Sequence, residues 1–258
     1  MNEHRNQAVT WTIAGLLLAV IALLIEWQSA PQFFPGFPPG VVYVAGAAVI
    51  VLLDRRSPWS PASAILLSAF ITIGGTAGGD MTRDLAAGNT GLTIGVWLMN
   101  AGLGLAVVAG IVAIVIGRRR ASDRQPAPYS KDNPHRTTTL IAAGALFLSA
   151  IADAAPEGLH WDGPGPVMFL VLGLLVLFVP GRHILMLSAL LSAAFVYGAF
   201  DNMATDHLTT PSDTVPFIFA NLQLVGYTVA TVAGGLAALP VKAAESRQYS
   251  PSRPGLPR

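Results

Sequence analysis

Cysteine is absent from the 258 residues. That excludes disulfides, thiolate zinc sites, iron–sulfur ligation and cysteine nucleophiles, and it leaves the redox character of the compartment open. Charge is scarce as well. Only 11% of residues are Asp, Glu, Lys or Arg against 53% hydrophobic, and the mean hydropathy is +0.57. A water-soluble globule of this size has more charge to cover its surface, so most of the solvent around this chain is lipid. Lysine occurs twice, as Lys131 and Lys242, both outside the apolar runs, so no mid-helix lysine offers a Schiff base. The net charge of +1, with no basic stripe interleaved with aromatics, gives no footing for nucleic acid. Walker A loops, dinucleotide fingerprints, G-x-S-x-G and S-x-x-K are missing too, so the sequence nominates no catalytic residue and no cofactor.

What is present is a series of apolar runs. Against the ~20 residues that cross ~30 Å of hydrocarbon, eight stretches qualify: 9–25, 38–53, 62–78, 92–117, 138–155, 164–180, 183–200 and 215–240. The second is the shortest in its core, and a count of seven spans is the competing reading. Basic residues decide between the two. With eight spans and both termini cytoplasmic, Arg5, Arg55, Arg56, Arg118 to Arg120, Arg124, Lys131, Arg136, Arg182, Lys242, Arg247, Arg253 and Arg258 fall inside, and only Arg83 falls outside. Removing any one span breaks this sorting. The first run has no small-x-small cleavage site before Pro31 and reads as an uncleaved anchor. Trp11 and Trp27 flank it at a spacing suited to the two interfaces.

The runs also repeat. Ser63–Phe70 aligns with Ser188–Phe195, Val108-Ala109-Gly110 with Val232-Ala233-Gly234, and Met81–Asp84 with Met203–Asp206, all in the same order. Four spans being an even number, the second copy re-enters with the orientation of the first, which implies two parallel-oriented four-helix repeats. The expected fold class is therefore an all-α integral membrane protein. A first repeat covers 1–117, a basic cytoplasmic linker 118–137, a second repeat 138–241, and a cytoplasmic tail 242–258 lacks the apolar residues to fold.

Polar residues at membrane depth are Ser68, Thr72, Asn100, Ser149, Ser188, Ser192, Asn221, Gln223, Thr228 and Thr231, none of them ionisable. Interhelical hydrogen bonding accounts for such residues; the sharper expectation is a polar path through Asn100, Asn221 and Gln223. Acids gather on the opposite face from the basic groups. The candidate outer cluster is Glu26, Asp84, Asp153, His160, Asp201, Asp206 and His207, with Glu26, Asp153 and Asp201 each standing where an apolar run stops. Asp201, Asp206, His207, His160 and Asp162 have metal-ligand chemistry but not the i, i+3 or i+4 spacing of helical metal sites, so no metal is assigned. An outer-face enzyme using Asp201, Asp206 and His207 is the reading that spacing weakens most.

Pro31 to Gly40 sets three Phe among four Pro and cannot form a regular helix, so an aromatic flap at the outer interface is expected. Together these readings favour a non-catalytic membrane subunit or scaffold that turns an acidic, Pro/aromatic face toward a protein or envelope-lipid partner. The alternative is a transporter or channel for a small neutral or cationic solute between the repeats. The abundance of Ala and Gly, with Arg far above Lys, points to a bacterial plasma membrane as its setting.

Overall fold

A computed structural model describes residues 2–33, 37–55, 57–77, 79–118, 128–131, 133–157, 164–201 and 208–239. Among these there are helices and turns but no strand. In chain order they are α1 (Asn2–Ser29), α2 (Pro39–Leu53), α3 (Pro61–Ala77), α4 (Asp80–Ala86), α5 (Thr90–Arg118), α6 (Arg136–Ala154), α7 (Pro164–Phe178), α8 (Arg182–Asp201) and α9 (Thr214–Ala238). Five of them, α1, α5, α6, α8 and α9, are long and apolar enough to cross a bilayer; α2, α3 and α7 are shorter apolar helices. Large apolar side chains such as Trp97, Val108, Tyr197 and Phe200 lie on the outer surface, where hydrocarbon rather than water suits them.

The helix starts have local causes. Pro39 and Pro164 open α2 and α7, where the missing N–H costs nothing. Asn89 caps α5: its Oδ1 accepts from the N–H of Gly91 at 2.9 Å and of Leu92 at 3.2 Å. Gly79, at φ +77°, turns the chain out of α3 into α4, a short helix that the apolar pattern does not predict because its sequence is mixed. At the N-terminus α1 runs seven residues beyond the apolar stretch. Arg5 holds that polar extension by donating from one guanidinium nitrogen to the carbonyls of Arg55 at 2.8 Å and Ser57 at 2.7 Å.

The helices pack in two sets. In the first, α5 lies along α1 and also touches α3, and α2 packs on α1; in the second, α9 lies along α6 and also touches α8, and α7 packs on α6. The sets meet through α2 against α8 and α3 against α7 and α8. Lipid offers apolar helices no less than they offer each other, so the seams rest on close approach of small residues. On the α1–α5 seam a Cβ placed on Gly15 would stand 2.6 Å from the carbonyl oxygen of Gly102, and one on Gly102 would stand 2.6 Å from that of Gly15. Gly226 of α9 meets α6 in the same manner, at the Ala145 carbonyl and Ser149.

Residues 119–127 and 132 of the expected linker, the last two residues of the expected second repeat (240–241) and the whole tail 242–258 lie outside the described residues. The linker's end is packed: Pro128 is buried, and Tyr129 sets its ring edge-on to Phe178 of α7 at 5.9 Å. Of the Pro/Phe flap, Pro31–Phe33 forms a single 3₁₀ turn and Phe37 meets Trp27 edge-on at 5.4 Å.

Candidate functional site

Basic groups from three helices converge on the turn between α2 and α3. Arg5 of α1 binds its carbonyls, Arg118 at the end of α5 lies 4.8 Å over the Trp59 ring, and Arg182 of α8 bonds Asp54 Oδ1 through Nε at 3.1 Å and the Leu53 carbonyl at 3.0 Å. Beside them His183 is fully buried. Its Nδ1 stands 3.5 Å from Asp54 Oδ2, and neither ring nitrogen has a hydrogen-bond partner among the described residues. Gly181 makes this possible, for its φ of +116° suits only glycine and a Cβ would collide with the His183 ring.

The other end of the bundle carries the acids. Glu26, in the last turn of α1, is 4% exposed, and Asp84 of α4 is 7% exposed and within electrostatic range of it. Arg83 binds Asp84 Oδ1 through Nε at 3.1 Å and Nη2 at 3.0 Å. Glu26 Oε1 is sealed from solvent and meets no donor among the described residues. Two glycines of α5, one turn apart, open the notch it occupies: a Cβ on Gly95 would collide with Glu26 Cγ, and one on Gly91 with Ser29. Asn89 closes the end by donating to the Ser29 carbonyl at 2.9 Å.

Asp153, at the corresponding end of α6, has a different environment. Gln223 of α9 donates from Nε2 to Asp153 Oδ1 at 2.7 Å and to the Tyr227 hydroxyl oxygen at 2.6 Å. Tyr227 is buried against Phe169 and Phe195, with centroids 4.7 and 5.3 Å away.

The sequence-predicted residues are thus distributed over the two sets. Glu26 and Asp84 come together in the first, and Asp153 joins Gln223 in the second. Asp201 ends α8, with its side chain outside the described residues, as are His160, Asp206 and His207. Asn100 donates to the Val96 carbonyl and Asn221 to the Phe217 carbonyl, each at 2.8 Å within its own helix. Asn100 lies on α5, which packs on α1, α3 and α4, whereas Gln223 lies on α9, which packs on α6 and α8.

Tyr227, His183 and Asp54 escaped the reading of the sequence. The burial of Glu26, Asp84 and His183 was not visible in the sequence, because it depends on neighbouring helices. Tyr227 carried one signal, its position four residues after Gln223 on the same helix face. His183 and Asp54 carried none, since one stands in the first turn of α8 and the other in the turn after α2, 129 residues apart in the sequence (183 − 54). No family model, curated protein or solved structure matches this chain.

Proposed function

We propose that this is an eight-span protein of the bacterial plasma membrane, with cytoplasmic termini and two parallel-oriented four-helix repeats, serving as a non-catalytic subunit or scaffold. Its acidic, Pro/aromatic outer face meets a protein or envelope-lipid partner. The duplication is supported by equivalent contacts at a constant interval. Gly102 and Gly226, Gly110 and Gly234, Ile65 and Ala189, and Ser68 and Ser192 are all 124 residues apart (226 − 102). Gly102 meets α1 and Gly226 meets α6; Gly110 meets Pro61 and Ile65 of α3, and Gly234 meets Leu185 and Ala189 of α8. Val108 and Val232 both face outward while Ala109 and Ala233 are both buried. This register sets Ser68 on Ser192, one residue away from the alignment of Ser63–Phe70 with Ser188–Phe195, and both of those hydroxyls are buried with no partner among the described residues. The α2–α8 and α3–α7 contacts exchange under the same relation.

The observation that carries the scaffold reading is the filled seam. One continuous core runs from Val44, Ala47 and Val51 of α2 to Leu187 and Leu191 of α8, and the Leu190 side chain occupies the space beside Gly46. The transport alternative requires a solute path along that seam, so the same packing counts against it. The copies diverge in polarity. At the 124-residue interval Gln223 and Tyr227 stand where the first copy has Met99 and Leu103, and Gln223 bonds Asp153, so the second repeat turns a polar group toward its outer end.

Photo-crosslinking from outer positions such as Phe37 and Thr82 in the native membrane tests the reading. A discrete adduct of constant stoichiometry is expected. An uncrosslinked protein that purifies alone, or vesicles that pass small cations only when the protein is present, overturns it.

A further inference from the structure

Glu26 sits where a negative charge is hardest to hold. It is 4% exposed, its Oε1 is sealed from solvent and meets no donor among the described residues, and it occupies the last turn of α1, the end at which the helix dipole opposes an anion. The helices packed against α1 bring no cation to it. The short turn Pro31–Phe33, α2 and α3 contain no charged residue, and α5 has only Arg118 at the far end. Among the described residues the ionisable groups facing it are Asp84, a second carboxylate, and Arg83, which binds Asp84. A carboxylate enclosed beside another carboxylate, with no donor among the described residues, is completed most simply by a proton, which removes the charge and supplies an O–H.

We propose that Glu26 binds and releases a proton from the outer aqueous phase, and that its protonation state sets how firmly α4 is held on the bundle. In the neutral form nothing opposes Asp84, and α4 stays docked against α3 and α5. When Glu26 gives its proton to water, two carboxylates face each other in a confined space. The repulsion is relieved by moving α4, a short helix joined through Gly79 and Gly88, outward. The notch made by Gly91 and Gly95 is what seats the acid there. The proposal rests on the surroundings of Glu26 and is independent of the scaffold reading.

Two measurements on the full chain in lipid nanodiscs test it. Infrared difference spectra taken from about pH 5 to about pH 9 follow the carboxylic-acid carbonyl band. A band lost as pH rises, missing in Glu26→Gln and lost at lower pH in Asp84→Asn, is expected; a band unchanged by Glu26→Gln overturns the site. The lack of cysteine permits the second. Leu85→Cys, on the half-buried side of α4, is labelled by a membrane-impermeant maleimide, with Thr82→Cys on its exposed side correcting for reagent chemistry. The ratio of the two rates should rise several-fold with pH in the otherwise native chain and stay flat with Glu26→Gln. A ratio that rises equally in both overturns the coupling to α4. Should Glu26→Gln fail to fold, Glu26→Asp must still titrate, with a displaced band; a band identical to the native one overturns the site.

Discussion

Arg182, on the first turn of α8, donates through Nε to Asp54 Oδ1 at 3.1 Å, 128 residues away along the chain and in the other helix set. The pair is partly shielded, with the Asp54 side chain 12% exposed, and a second donation reaches the Leu53 carbonyl. It is the polar counterpart of the apolar α2–α8 contact.

Removing Asp54 leaves the Arg182 guanidinium and the buried His183 ring without their carboxylate. We expect Asp54→Ala to lower stability by about 1–3 kcal/mol, read as a fall in the melting temperature in detergent. Arg182→Ala should cost less, because its side chain is 40% exposed and solvent replaces the bond. A double-mutant cycle should return a coupling between them; strict additivity would show that the pair joins nothing.

The glycine seams predict a sharp contrast between neighbouring positions. Gly102→Leu forces α1 and α5 apart and should cost about 1–3 kcal/mol or more, with loss of monodisperse protein on size-exclusion chromatography. Gly104→Ala, which meets no atom within 4 Å, should be neutral. The same contrast is expected in the second set between Gly226→Leu and Gly144→Ala.

Tyr227→Phe removes one acceptor of the Gln223 amide but keeps the ring stack with Phe169 and Phe195, so about 0.5–1.5 kcal/mol is expected. Gln223→Leu removes a donor from Asp153 and should cost more, about 1–3 kcal/mol. Equal losses in a chemical or thermal melt would contradict this ordering.

Topology is open to direct labelling. In intact cells Thr82→Cys should react with an impermeant maleimide, and Lys131→Cys, exposed at the other end of the chain's charge asymmetry, should react only after permeabilisation. Labelling of Lys131→Cys from outside would end the eight-span reading.

Helix positions were legible to within one or two residues at nearly every boundary, because a run of apolar residues ends where lipid does. Two departures have physical causes. The polar start of α1 is helical because carbonyls of the α2–α3 turn hold Arg5, and α4 exists because Gly79 reverses the chain into a space beside α3 and α5. The carboxylates Glu26 and Asp153 were legible as helix-end acids, but the burial of Glu26 was not. Exposure of Glu26 depends on what lies over it, and that is Gly95, about seventy residues away.

Composition and the order of apolar runs determined by themselves that this chain belongs in lipid, where its helices lie, and which groups gather at each end, since partition between water and hydrocarbon acts on each segment separately. Tertiary structure alone decided that Asp54 meets Arg182, that Gln223 reaches Asp153, and that Glu26 is enclosed beside Gly95. Those outcomes depend on which helices become neighbours. That choice is made by close packing of small residues at the seams, a property of two surfaces together that neither strand of sequence contains alone.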